Sequence, residues 1–283
     1  MPKLSIITIN RNNASGLLKT IESVFAQTWR DFEYIIIDGA STDDSINVIR
    51  SYESINETSP NPIQIKWVSE PDTGIYNAMN KGTLLSDGEY CFYLNSGDCL
   101  YEPTTLLHVF RDDAPADFIF GRVAIPAENG KLHLAGRDNT HFTPFQLFQS
   151  APPHQGSFMK RSLILKVGMY DEQYKLVADF KCIYQCLMIE RATVVYVNKI
   201  ISVMEANGIS YQRHEECLVE DDRIMVELYS EEFREDFHEL LELQKENMEL
   251  KSKINTYRSA IHFYDKIKKY NVLRKVFNYI AQK

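Results

Sequence analysis

The chain has 283 residues, 44% hydrophobic and 25% charged, an ordinary globular composition that excludes collagen-like, mucin-like and wholly disordered chains. Thirty-nine Asp and Glu against 31 Lys and Arg leave a net charge of −8, which argues against a nucleic-acid-binding surface and confines any basic region to a local patch. Five cysteines (Cys91, Cys99, Cys182, Cys186, Cys217) form an odd set without CxxC spacing, so neither a disulfide framework nor a zinc site is expected.

The first apolar run, 4–9, is too short for a signal-peptide core or for a membrane span of about 20 residues, and a cytoplasmic protein is expected. It reads as a buried strand, as does 34–38, because both are short and rich in β-branched residues. Between them Leu17, Leu18, Ile21, Val24 and Phe25 recur at helical spacing after the start signals Ser15 and Gly16, completing a βαβ unit. The alternation continues with a helix over 43–52, a strand over 63–68, a helix over 74–85, a strand over 90–94 and a helix over 104–110. That order predicts an α/β fold with a mostly parallel central sheet and helices on both faces. Farther on, 131–135 suits one edge strand, 142–148 a short aromatic helix and 180–189 a longer helix.

Ligands of such sheets gather at the carboxyl ends of the strands, and here those ends are polar and acidic. Asn10-Arg11-Asn12-Asn13 follows the first strand, 38–43 the second, Glu70-Pro71-Asp72 the third and Asn95-Ser96-Gly97-Asp98 the fourth. Clustered carboxylates there point to a divalent cation. Neither GxGxxG after the first strand nor GxxxxGK[ST] occurs, which removes the main support for dinucleotide and P-loop sites.

From about residue 212 Gly and Pro vanish and charged residues dominate. Leu240, Leu243, Asn247, Leu250, Ile254, Tyr257, Ile261 and Tyr264 alternate steps of three and four, a heptad seam with Asn247 at an a position. It suits either a homodimeric coiled coil through 240–264 or a helix docked on its own domain. Lys266, Lys268, Lys269, Arg274, Lys275 and Lys283 then surround Ile267, Leu273, Val276, Phe277 and Ile280, so 266–283 suits an anionic inner leaflet or a solvated tail.

The opening 5–10, Gln27 and 38–43 resemble the nucleotide-binding half of family 2 glycosyltransferases of GT-A fold. The run 69–82 and Leu94-Asn95-Ser96-Gly97-Asp98 resemble the bacterial branch that builds capsular, exopolysaccharide and O-antigen units, and the likeness covers about 3–211. It implies a GT-A domain over 1–211, divided into a nucleotide-sugar half (1–100) and an acceptor half (101–211), followed by a helical tail over 212–283. It also implies an enzyme moving a sugar from a nucleoside diphosphate, UDP foremost, to a saccharide or lipid-linked saccharide, and the basic end of the chain suits a peripheral place on the inner face of the cytoplasmic membrane.

Residue by residue, the resemblance implies that Asp38 accepts a hydrogen bond from the base, with Thr8, Asn10 and Arg11 lining the same pocket. Asn95, Ser96 and Asp98 occupy the family's Asp-x-Asp element, whose last carboxylate, here Asp98, binds Mg²⁺ or Mn²⁺; Asn95 and Gly97 stand where carboxylates are common. Asp72 either caps the helix at Gly74 or contacts sugar. Asn80 and Lys81 help hold the donor, while Asn77 stands where relatives carry Asp. Asp179, at the end of the Val177-Ala178-Asp179 run, is implied as catalytic base, with a helix N-cap as its structural alternative. His154, in Pro152-Pro153-His154-Gln155-Gly156, falls near the diphosphate or acceptor, Asp171 and Glu172 in a turn near the acceptor, and Arg122 and Arg137 are open as phosphate partners. A sugar nucleotidyltransferase and a non-catalytic scaffold of a polysaccharide assembly remain as alternatives; the first lacks a basic Gly-rich loop, and the missing charges at Asn77, Asn95 and Gly97 motivate the second.

Overall fold

A computed structural model describes residues 1–283 except 112–115, 128–129, 137, 206–207, 209–211 and 282–283, and gives backbone alone for 260, 264, 267, 270–274 and 276–281. In chain order the first elements are β1 Leu4–Asn10, α1 Ala14–Phe25, β2 Phe32–Asp38, α2 Ser45–Glu57, β3 Gln64–Ser69, α3 Ile75–Leu85 and β4 Tyr90–Tyr93. They match the expected alternation. Helix α1 starts one residue earlier than Ser15 suggested, because the Asn13 side chain accepts the Gly16 N–H and caps it.

The pleat explains why helices cover both faces. Leu4, Ile6, Tyr34 and Ile36 join Leu17, Ile21 and Val24 of α1 and Ile49 of α2 in one core. Ile7 and Ile37, on the alternate positions, meet α3 at Gly82, whose bare Cα lies against the Ile7 side chain.

The second half carries β5 Cys99–Leu100, α4 Thr105–Phe110, β6 Phe118–Pro126, β7 Leu132–Ala135, α5 Pro144–Gln149, a 3₁₀ turn His154–Gly156, β8 Ser157–Lys160, α6 Arg161–Lys166, α7 Ala178–Tyr184 and β9 Val194–Val203. The expected helix over 180–189 starts at Ala178 and loosens into a π turn over Gln185–Ile189. Strand order is β3-β2-β1-β4-β8-β6-β9-β5, with β7 paired to β6. The expectation of a mostly parallel sheet is therefore corrected. The β3-β2-β1-β4 pairings are parallel, but β4–β8, β8–β6, β6–β7 and β9–β5 are antiparallel, and β6–β9 is parallel, giving a mixed sheet. The cause is β8, which enters beside β4 in the opposite direction after the long 101–156 excursion, where no βαβ crossover constrains it.

Two helices follow, α8 His214–Leu228 and α9 Glu231–Ala281, and the chain divides into compact units at 1–224 and 225–283. No helix among the described residues is long and apolar enough to cross a membrane. In α9, Leu240, Leu243, Leu250, Ile254, Tyr257 and Ile261 are exposed. The side chains of Tyr264, Ile267, Leu273, Arg274, Val276, Phe277, Ile280 and Lys283 lie outside the described residues. Cys182 and Cys186 are both buried and free.

Candidate active site

The parallel strands end together, and their first polar residues meet. Asn10, closing β1, is paired with Asp38, closing β2. The Asn10 amide donates to Asp38 Oδ1 at 2.8 Å, Ser41 donates through both backbone N–H and hydroxyl, and the Ser69 hydroxyl donates to Oδ2 at 2.7 Å. Burial pushes the Asp38 carboxyl up, but these donors outweigh it and hold the group below the ordinary aspartate range. Beside this cluster Arg11 is exposed, with Nη1 3.8 Å from Asp72 Oδ1. Asp72 is 7% exposed and accepts the Gly74 N–H at 3.0 Å, the capping contact weighed for it. Its carboxylate lies against the bare Cα of Gly39.

Two expected pocket residues are turned into packing instead. Thr8 is fully buried, donating to the Leu94 carbonyl and accepting from the Tyr34 hydroxyl, because residues at its position in β1 face the core. Asn80 donates to the Tyr170 carbonyl and accepts the Tyr170 N–H, gripping the 170–172 segment as a strand would. Lys81 pairs with Glu70 and the Pro71 carbonyl. Glu172 gathers Thr73, Asn77 and Asn80 onto one carboxylate. Glu172, Thr73 and Asn77, with Gly74, Tyr76, Tyr174, Lys175 and Arg213, line a cleft of about 230 Å³. Arg122 sits at the irregularity between β6 and β9; Arg137 lies outside the described residues.

The 95–98 loop is held by α1. Thr20 donates to the Asp98 carbonyl at 2.7 Å and accepts the Gly97 N–H, Lys19 donates to the Gly97 carbonyl at 3.1 Å, and Ser96 donates to the Asn13 carbonyl at 3.2 Å. Asp98 is 5% exposed, and its Oδ1 accepts the Glu205 N–H at 2.8 Å. Burial pushes its carboxyl up to about 6 against that single amide bond.

A second chain of contacts crosses from this loop to the other half of the sheet. His154 Nε2 lies 3.4 Å from the Asn95 amide nitrogen, while Nδ1 lies 2.7 Å from Asp179 Oδ2, and the Tyr76 hydroxyl donates to Asp179 Oδ1 at 2.8 Å. With the Asn95 amide as donor, Nε2 accepts and Nδ1 presents its proton to Asp179. Burial pushes Asp179 up, but His154, Tyr76 and the Phe180 N–H hold it below the ordinary aspartate range, so it is ionised at neutral pH. Asp179 lies in the first turn of α7, whose N-cap residue Val177 contributes no side-chain cap.

The structure thus brings Asn10, Arg11, Asp38 and Asp72 into one cluster and Asn95, Asp98, His154 and Asp179 into another. Sequence reasoning missed Tyr76, Thr20 and Glu205, and gave Glu172 only as a turn residue near the acceptor. Only Thr20 carried a signal, since it is a polar residue on the inward stripe of α1.

A divalent cation, expected from the resemblance, fits the second cluster on two grounds. Asn95 Oδ1 is buried without a hydrogen-bond partner, and Asp98 is a buried carboxylate with no ion-pair partner among the described residues. Hard oxygen donors of this kind suit Mg²⁺ or Mn²⁺. Among the described residues no group of three or more His, Cys, Asp or Glu could hold a metal alone.

The chain is similar in sequence and fold to known proteins. A glycosyltransferase of PGL/p-HBAD biosynthesis from Mycobacterium tuberculosis is 28% identical over 214 residues, 74% of this chain and 79% of its own. Among solved structures, S. aureus TarS 1–349 in complex with UDP-GlcNAc superposes with a TM-score of 0.58 at 16% identity, covering 73% of this chain and 59% of that one. The mannosyltransferase PcManGT from Pyrobaculum calidifontis, in complex with GDP-Man and Mn²⁺, gives 0.60 at 16% identity, covering 81% and 65%. Residues 5–167 match the family described as glycosyl transferase family 2, and the chain belongs to that family.

Proposed function

We propose that the enzyme catalyses an inverting transfer from a UDP-linked sugar to a hydroxyl of a lipid-linked saccharide, in the assembly of a bacterial surface polysaccharide. The observation that carries this reading is the hydrogen-bonded chain from Asn95 through His154 to Asp179, which links the end of a nucleotide-type β–α sheet to an ionised carboxylate beside the cleft. In this reading residues 1–100 hold the donor, 101–211 the acceptor, and 212–283 form a tail. The PGL/p-HBAD relative supports a glycolipid-type acceptor, and the TarS complex supports the uridine nucleotide.

Asp38 and Asn10 face the base, with the Ser41 and Ser69 hydroxyls free to rotate when a base N–H replaces them. Arg11 and Asp72 border the donor, and Asn95, Ser96 and Asp98 its diphosphate. Asp98 and Asn95 would hold a divalent cation, which when bound neutralises the charge on the departing diphosphate. Asp179 takes the proton of the acceptor hydroxyl while its oxygen forms the new bond to the anomeric carbon, and the electron pair of the old bond leaves with the nucleoside diphosphate. His154 and Tyr76 orient Asp179 for that step. The exposed seam of α9 supports homodimerisation through 240–264, and the charge pattern of 266–283 supports contact with an anionic inner leaflet.

Calorimetric titration with UDP, GDP, dTDP and CDP, each with Mn²⁺ and with chelator, tests the donor half. One nucleotide binding with cation dependence is expected, and no binding by folded protein overturns the reading. Replacing Asp179→Asn should abolish transfer and leave nucleotide affinity within about twofold; loss of both would make Asp179 a structural cap.

A further inference from the structure

We propose that Glu205 supplies a second carboxylate to the divalent cation at Asp98, returning to the site a negative charge that the 95–98 loop lacks. The inference rests on the reading of Asp98 as the cation ligand.

Glu205 lies just beyond β9. The antiparallel register of β9 with β5 sets Val203 against Cys99 and Ser202 against Leu100, so the chain leaving β9 passes back over the residues that precede β5. Two contacts fix the outcome. The Glu205 N–H donates to Asp98 Oδ1 at 2.8 Å. The Glu205 carboxylate lies against Gly97, in the space that a β-carbon would fill, and Gly97 has φ of +104°, a conformation that favours glycine. Gly97 therefore does two things at once: it turns the loop, and by having no side chain it admits the carboxylate of a residue 108 positions later, counted from 97 to 205.

The chemistry favours a shared cation. Asp98 meets Glu205 through the Glu205 N–H, the Glu205 carboxylate lies against the neighbouring Gly97, and each carboxylate is a hard oxygen donor of the kind that Mg²⁺ and Mn²⁺ take. The Lys19 ammonium is directed to the Gly97 carbonyl. Asn95 Oδ1, buried and without a hydrogen-bond partner in the same loop, offers a neutral oxygen. In sequence terms the loop reads Asn-Ser-Gly-Asp, with one charge; in space a second carboxylate, that of Glu205, lies against its Gly97.

The test is a titration of the full chain with Mn²⁺ in the presence of UDP, and in parallel GDP, followed by the electron paramagnetic resonance of free Mn²⁺. Glu205→Gln should weaken Mn²⁺ binding at least about tenfold. Glu205→Asp should recover part of that loss, while nucleotide affinity in EDTA and the melting temperature stay at wild-type values. Both variants keep the backbone N–H that Asp98 uses. Unchanged Mn²⁺ affinity in Glu205→Gln, alongside its loss in Asp98→Asn, overturns the role of Glu205 and leaves the cation site standing. Absence of Mn²⁺ binding by wild-type protein with either nucleotide overturns the cation reading itself, and Glu205 with it.

Discussion

Burial acts on Asp98 and Asp179 alike, yet their carboxyls move in opposite directions, because Asp179 receives Tyr76 and His154 and Asp98 receives one amide. For Asp98 the consequence is a stability cost. Its folded-state pKa, about 6, lies above the unfolded 3.8, so the folded protein keeps a proton that the unfolded chain releases, and stability falls as pH rises through that window. Asp98→Asn, measured in chelator at pH 8, should raise the melting temperature by the equivalent of up to about 3 kcal/mol, a gain that fades toward pH 4. Tyr76→Phe works the other way on Asp179. Losing one donor weakens the hold against burial, and the acid limb of the pH–rate profile should move to higher pH with nucleotide affinity unchanged.

At the scale of elements, α3 and α8 hold the two sides of the cleft. Gly82 in α3 shows which effect wins when propensity and packing disagree. Alanine there gains about 1 kcal/mol of helix propensity but pushes a methyl into Ile7 of β1, and overpacking costs about 1–3 kcal/mol. Gly82→Ala should therefore lower the midpoint of urea unfolding rather than raise it. In α8, Glu220 accepts the backbone N–H groups of Lys175, Leu176 and Val177, the residues that lead into α7 and Asp179. Since Val177 brings no capping side chain of its own, Glu220 acts as a cap supplied from another helix. Glu220→Ala should speed hydrogen exchange at these three amides by an amount equivalent to about 2 kcal/mol of local opening, and lower kcat with nucleotide affinity intact.

For the whole molecule, the acidic net charge and the basic end of the chain are separate facts with separate consequences. A charge of −8 argues against a nucleic-acid surface over the whole protein, while the basic residues of 266–283 are confined to one end of the sequence. The unit 225–283 leaves a row of Leu and Ile in water, with Leu243 at 54% and Ile254 at 46% exposure. Paired seams of this kind bury such residues as knobs in a facing helix. Leu243→Asp with Ile254→Asp should convert a dimer to a monomer in sedimentation velocity, while the thermal transition of unit 1–224 stays in place. A wild-type chain that sediments as a monomer would remove the dimer.

Periodicity alone determined β1 to β4 and α1 to α3, because each is a local run whose apolar spacing repeats within a few residues, and the same runs carried the polar strand ends with Asp38 and Asp98. The antiparallel half escaped, since β6, β8 and β9 follow loops without a short crossover and their direction is set by pairing rather than by pattern. The site divides in the same way. Asn10 and Asp38 were legible as neighbours because parallel strands align their ends, whereas Asn95 to His154, His154 to Asp179 and Glu205 to Asp98 span 59, 25 and 107 residues. Single polar residues in loops carry no period, so only the folded chain decides which of them share a carboxylate, a proton or a cation.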